Sequence, residues 1–133
     1  MKFQTIAYTL LRIVTPFLLL QHGVQKHFGL LGGFGPQHGT AELWSLFGAA
    51  GVIETFVTPF VLIGLFTRPA AFLVSGEMAT AYFLMHIKNG FWPILNHGEL
   101  PVLFCFVFLF ISSYGPGPFS VDALLARRSG KPS

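Results

Sequence analysis

Three ionisable residues, Arg12, Glu54 and Glu77, interrupt long apolar stretches of this 133-residue chain. A charged side chain inside a bilayer is expensive, so it usually pairs with another charge or belongs to a functional site. Counted along helices from one membrane surface, the three residues lie at depths of about 10 to 18 Å and can meet. We therefore expect Arg12 to form a buried ion pair with Glu54, Glu77 or both. Such a pair could act as a polar lock between helices or as part of a ligand-binding site.

A second polar group is expected near the opposite membrane surface. It comprises all five histidines and two glutamates: His22, His27, His38, His86, His97, Glu42 and Glu99. A lone loop histidine is usually solvated, and a carboxylate in the first turn of a helix usually complements the helix dipole. Their convergence at one depth is what indicates a binding site. Glu77 and His86 are nine residues apart, so an α-helix would place them on opposite faces, which argues against both lining one pocket.

Four apolar stretches must position these residues. They are residues 5–23, 42–66, 69–86 and 99–114. As helices they would be about 24 to 37 Å long, which brackets the hydrocarbon thickness of a bilayer. Apolar residues make up 53% of the chain and charged residues only 10%, which excludes an ordinary soluble domain. We predict an all-α, integral membrane, antiparallel four-helix bundle that forms a single domain over residues 1–133.

Two features of the second stretch predict local structure around Glu54. The small residues from Gly48 to Gly51 allow another helix to approach closely. Pro59 follows Glu54 by just over one turn, and we expect it to bend the helix there because proline cannot complete the regular hydrogen-bond ladder.

The distribution of lysine and arginine predicts the orientation. With the N-terminus inside, the inner side contains Lys2, Arg68, Arg127, Arg128 and Lys131, whereas the outer side contains Lys26 and Lys88. Basic residues concentrate on the cytoplasmic side of membrane proteins. We therefore expect both termini in the cytoplasm and residues 24–41 in the periplasm. The basic residues are few and scattered, so they indicate contact with the lipid bilayer and no binding of nucleic acid.

Short motifs follow one another in order along nearly the whole chain. They are His22-Gly23 with Lys26 and Phe28-Gly29, Glu54, Gly64-Leu65-Phe66-Thr67-Arg68, His86, Asn96-His97-Gly98-Glu99, and Gly115-Pro116-Gly117 with Ser120 and Asp122. Together they resemble the DoxX family of small four-helix inner-membrane proteins. The resemblance implies a multi-pass protein of the bacterial inner (plasma) membrane. It also implies a link to oxidoreductases, because relatives include membrane subunits of a thiosulfate:quinone oxidoreductase and proteins associated with complexes that handle thiol or oxidative stress.

The residues and the resemblance together favour a subunit that binds a small, partly apolar ligand such as a quinone and supports electron transfer by a redox partner protein. A quinone needs an apolar slot with a hydrogen-bond donor and a protonatable group near its carbonyl oxygens. The expected ligand-binding residues are His22, Lys26, Glu54, His86 and Glu99. No residue is assigned a catalytic role.

Three alternatives stay open at this point. The first is a non-catalytic membrane scaffold or assembly subunit, in which the buried charges only lock helices together. The second is binding of a metal or haem at the outer face by His22, His86 and His97, although the chain has no His-x₃-His or cysteine-rich ligand spacing. The third is transport, which would require four helices to assemble into a homo-oligomer.

Overall fold

The computed structural model describes residues 2–130, so Lys131 of the predicted inner charge group lies outside the described residues. Within these limits the chain is helical and has no β-strand, which confirms the all-α class. The helices are α1 (Phe3–Phe28), α2 (Leu46–Ile63), α3 (Thr67–Asn89), α4 (Pro93–Asn96), α5 (Glu99–Tyr114) and α6 (Val121–Arg128).

Three of these helices, α1, α2 and α3, are long and apolar enough to cross a membrane, with 26, 18 and 23 residues. Helix α5 is also apolar but has 16 residues, a length of about 24 Å. Large apolar side chains such as Phe72, Leu103 and Phe106 are exposed on the outside of the molecule, as expected of surfaces that face lipid. The structure thus supports three membrane crossings, and the fourth stays a prediction.

Helices α1 and α2 pack antiparallel. Arg12, in the first half of α1, donates a hydrogen bond to the Val61 carbonyl near the end of α2, at 3.0 Å. Lys26, near the end of α1, reaches Glu54 in the middle of α2 at 2.8 Å. A turn over residues 64–66 then reverses the chain into α3, and Gly64 adopts a left-handed conformation there, with φ at 74°.

Helices α3 and α5 also pack antiparallel. The Ser75 hydroxyl donates to the Cys105 carbonyl at 2.7 Å, and Arg68, at the start of α3, donates to the Ser112 carbonyl near the end of α5 at 3.0 Å. The apolar core lies between these helices and α1 and α2. Its buried residues are Tyr8, Leu19, Val61, Ala70, Ala71, Val74, Met78, Phe104, Phe108 and Ile111.

A π-helical turn interrupts each of α2 and α3. The first covers Ile53–Val57 and the second Tyr82–His86. Such a turn inserts one residue into an α-helix and often occurs at functional sites. In α2 it ends two residues before Pro59, whose ring would crowd the carbonyl four residues earlier in a regular α-helix. The distortion expected near Glu54 takes the form of this wide turn.

The segment that follows α5 closes the end of the bundle at which α1 and α3 begin, which the sequence did not predict. Helix α6 begins after Ser120, whose hydroxyl accepts a hydrogen bond from the Ala123 N–H. The Asp122 carboxylate accepts bonds from the N–H groups of Phe66 and Thr67 at 3.0 and 3.1 Å. Those N–H groups lie at the start of α3 and lack intrahelical partners, so Asp122 caps α3 from a distant part of the chain.

Replacing Asp122 with alanine is expected to lower the free energy of unfolding by about 1–2 kcal/mol, because the first turn of α3 loses its cap. Unfolding of the purified protein by denaturant in mild detergent measures this. Asp122→Asn keeps one acceptor oxygen and should lose less. An alanine variant as stable as the wild type would show that the cap contributes nothing.

Candidate functional site

An ion pair between Lys26 and Glu54 joins α1 to α2. The Lys26 Nζ lies 2.8 Å from Glu54 Oε1 and 2.9 Å from Oε2, so it donates to both carboxylate oxygens. Glu54 is 1% exposed and Lys26 is partly buried. No other salt bridge joins side chains within residues 2–130.

Two glycines make this contact possible. A Cβ at Gly23 would lie 2.7 Å from the backbone nitrogen of Thr55, closer than a Cβ approaches an atom to which it is not bonded. A Cβ at Gly51 would lie 3.2 Å from the Lys26 Cβ. Small residues let helix backbones approach closely. The sequence indicated this role for Gly51, but Gly23 was interpreted as the end of a membrane span.

The prediction that Arg12 pairs with Glu54 or Glu77 is wrong. Its guanidinium is 2% exposed and donates to three backbone carbonyls, those of Val61 at 3.0 Å, Leu62 at 2.7 Å and Phe119 at 2.6 Å. The first two belong to the last turn of α2. Carbonyls there have no intrahelical partners and form the negative end of the helix dipole, so they can satisfy a buried cation without a carboxylate.

The position at which α1 ends explains why Lys26, and not Arg12, pairs with Glu54. The sequence placed the end of the first span at residue 23 and Lys26 in a loop, whereas α1 continues to Phe28 and Gly29 ends it with φ at 68°. Lys26 is therefore helical and points back to Glu54. Arg12 lies fourteen residues earlier, about 21 Å along α1, so its hydrogen bonds lie at the other end of the bundle.

A cavity of about 330 Å³ surrounds this ion pair. Its polar lining residues are His22, Lys26, Glu54, Glu77, His86 and His97. The other lining residues are apolar or small and come from α1, α2, α3 and α5, among them Leu19, Phe47 and Phe104. The volume lies within the range of about 300–1,000 Å³ that is typical of small-molecule sites.

Glu77 and His86 both line this cavity, contrary to the expectation from regular helical spacing. The π turn Tyr82–His86 lies between them. Its inserted residue rotates the residues that follow by about 100° relative to an uninterrupted α-helix, which brings His86 toward the face of Glu77. The His86 Nδ1 lies 3.1 Å from the carbonyl oxygen of Asn96, which orients the ring.

Asn96 is buried and bonds to three other residues, whereas the sequence indicated it only as part of a motif. Its Nδ2 donates to the Gly90 carbonyl at 2.8 Å and to the Tyr82 hydroxyl at 3.3 Å, and its Oδ1 accepts from the Gly98 N–H at 2.8 Å. These bonds join α4 to the end of α3 and to the start of α5. They fix the loop that positions His86 and His97.

The remaining residues of the predicted outer group lie elsewhere. Glu99 is exposed at the start of α5 and does not line the cavity. His27 packs against Phe28 and Phe56, and His38 bonds to the Gly32 carbonyl. Within residues 2–130, no three His, Cys, Asp or Glu side chains form a cluster that could hold a metal ion. Four of the five predicted ligand-binding residues line the cavity: His22, Lys26, Glu54 and His86.

Comparison with known proteins identifies the family. The DoxX family model matches residues 7–87. This chain belongs to the DoxX family. The resemblance seen in the sequence motifs is thereby confirmed, and together with its apolar helices it makes the chain a small membrane protein. This DoxX protein is 37% identical over 128 residues to an uncharacterized protein of Haemophilus influenzae, and the match covers 91% of this chain and 92% of that relative. No solved structure matches it.

The part of this DoxX protein that matches the family model contains most of the site. The ion-paired residues Lys26 and Glu54 lie within it, as do His22, Glu77 and His86. Helices α4, α5 and α6 lie beyond it.

Proposed function

We propose that this DoxX protein binds a small, partly apolar ligand, best represented by a quinone, in the cavity around Lys26 and Glu54. In this proposal it is a subunit of the bacterial inner membrane that supports electron transfer by a redox partner protein. The observation that supports it is a buried ion pair, flanked by histidines and Glu77, in a cavity whose other lining residues are apolar or small. Ligand sites typically combine such walls with a few convergent polar groups.

The side chains of the cavity suit the chemistry of a quinone. The Lys26 ammonium can donate a hydrogen bond to a quinone carbonyl oxygen, and it has more donors than its bonds to Glu54 use. Reduction of a quinone to a quinol consumes protons together with electrons, and the electrons come from the partner. Glu54, His22 and His86 are groups able to exchange protons at the ligand, since carboxylates and imidazoles are common general acids and bases.

A non-catalytic scaffold is the second candidate function. The ion pair itself favours this function, because both oxygens of Glu54 already accept bonds from Lys26. Such a pair can fix the position of α1 along α2 without any ligand. In that case Lys26 and Glu54 matter only for folding and assembly.

Binding of a short-tailed benzoquinone to the purified protein in mild detergent distinguishes the two candidates. Glu54→Gln keeps the size of the side chain but removes its charge and proton exchange, so we expect affinity to fall at least about tenfold. Glu99→Gln is the matched control and should bind as the wild type does, because Glu99 lies outside the cavity. Equal affinity of the wild type and Glu54→Gln, with both folded, would favour the scaffold.

The orientation is also part of this proposal. We expect both termini in the cytoplasm and residues 24–41 in the periplasm, because Lys2, Arg68, Arg127 and Arg128 lie at one end of the bundle. Because Lys26 lies within α1, it no longer counts among the basic residues of the opposite loops. The excess of basic residues at the end with Lys2 and Arg68 is therefore larger than the sequence count.

Single cysteines test the orientation in a background in which Cys105 is replaced by serine. We expect a membrane-impermeant maleimide to label Gly39→Cys in intact cells and to label Ser129→Cys only after lysis. Gly39 is exposed and a Cβ there meets no neighbour within 4 Å. The reverse pattern would place the cavity histidines near the cytoplasmic surface.

A further inference from the structure

A second cavity, of about 390 Å³, lies between α2 and α3. Its lining is apolar except for Glu77 and Thr80. It shares four lining residues with the cavity around the ion pair, namely Ala50, Glu77, Ala81 and Met85. The two cavities are therefore neighbours, separated by small or flexible side chains and one carboxyl group.

The outer wall of this second cavity faces the surface that meets lipid. Phe72 is 65% exposed, and Leu46, Leu73 and Leu84 are also exposed. Gly76 lies among them on α3, and a Cβ there would meet nothing within 4 Å. An apolar groove that is open at a glycine can admit a chain from the bilayer.

Glu77 connects the two cavities. Its Oε2 is buried and has no hydrogen-bond partner in the structure. A buried polar atom without a partner is costly, so such an atom next to a cavity points to a ligand group that bonds to it. Within the described residues, Glu77 also forms no salt bridge.

We propose that the second cavity holds the apolar tail of the ligand whose ring occupies the first, and that the ligand reaches the ion pair from the bilayer by this route. This inference rests on the proposed function and narrows its ligand class to lipid-soluble quinones with a long apolar tail. The ring lies against Lys26 and Glu54, and a ring hydroxyl of the reduced form donates to Glu77 Oε2. The tail extends between α2 and α3, where apolar walls stabilise it.

Gly76→Leu tests the route because it fills the groove without a backbone clash. The probes are two benzoquinones with the same ring, one without a tail and one with a decyl tail. For Gly76→Leu we expect affinity for the tailed quinone to fall about tenfold or more, because its chain loses buried apolar contact, while the tailless quinone binds as to the wild type. Unchanged binding of the tailless quinone also shows that the variant is folded.

Ala7→Leu is the matched control, since it adds apolar bulk at an exposed position of α1 that lines neither cavity. It should change neither affinity. If Gly76→Leu lowers both affinities equally or neither, the route is overturned and the groove holds only bilayer lipid. If the wild type binds neither quinone, the proposed function fails, and the ligand class inferred here fails with it.

Discussion

Replacing Lys26 with methionine is expected to lower the free energy of unfolding by about 3–5 kcal/mol, because Glu54 then becomes a buried charge without a partner. Methionine keeps the length of the lysine stem and removes only the ammonium group. Glu54 has no compensating donor, since both of its oxygens bond to Lys26 Nζ. The measurement is a denaturant titration of the purified protein in mild detergent, followed by circular dichroism.

The double variant Lys26→Met with Glu54→Gln should recover most of this loss, because removing both charges of a buried pair is far less costly than removing one. Lys88→Met provides the control: Lys88 is exposed at the end of α3, and its change should stay within about 0.5 kcal/mol. If the double variant is as unstable as Lys26→Met alone, the ion pair is not the source of the loss.

Arg12→Leu is expected to lower the free energy of unfolding by about 4 kcal/mol, because three backbone carbonyls around this buried guanidinium lose a charged donor at once. The chain offers a matched control in Arg68. It also donates to three backbone carbonyls, those of Ser112, Ser113 and Tyr114, but it is exposed. Water can replace Arg68 at these carbonyls, so Arg68→Leu should cost only about 1 kcal/mol.

A double-mutant cycle between Arg12→Leu and Glu54→Gln tests the corrected pairing directly. Arg12 bonds to Val61, which follows Glu54 by seven residues, about 10 Å along α2. Groups at this separation with no shared partner are additive within about 0.5 kcal/mol. A coupling of several kcal/mol would indicate that Arg12 does pair with Glu54, as the sequence predicted.

The class of fold could be predicted because it depends on composition and on the length of apolar stretches. His22, Lys26, Glu54 and His86 line one cavity, although the sequence placed Glu54 near the middle of the membrane and the other three at its outer surface. Their role in binding a ligand stays a prediction. Glu99 was grouped with them by its depth and by the family resemblance of its motif. Depth does not determine which way a side chain faces, and Glu99 lies outside the cavity.

The pairing of the buried charges could not be predicted because it depends on two glycines with different roles. Gly23 lies inside α1 and allows contact with Thr55, whereas Gly29 ends the helix. Polar residues surround Gly23 on both sides and mark the end of the apolar run, so the helix end was placed at the first glycine. The predicted end at residue 23 is five residues short of the end of α1 at Phe28, which removed Lys26 from the helix and left Arg12 as the apparent partner of Glu54.

The π turn Tyr82–His86 could not be predicted from the sequence either. Pro59 gives a reason for the wide turn in α2, but Tyr82–His86 contains neither proline nor glycine. Tyr82 and His86 of this turn bond to Asn96 of α4, a contact between segments that local sequence does not reveal.

The hydrogen bond from Arg12 to Phe119 can form only late in the synthesis of the protein. The two residues are 107 positions apart, so the ribosome synthesises α1, α2, α3 and α5 before the carbonyl that completes the Arg12 contacts exists. The cap that Asp122 provides to α3 is equally late. Domains begin to fold from the N-terminus during synthesis. The end of the bundle at which α1 and α3 begin therefore stays open during insertion until α6 is synthesised and closes it.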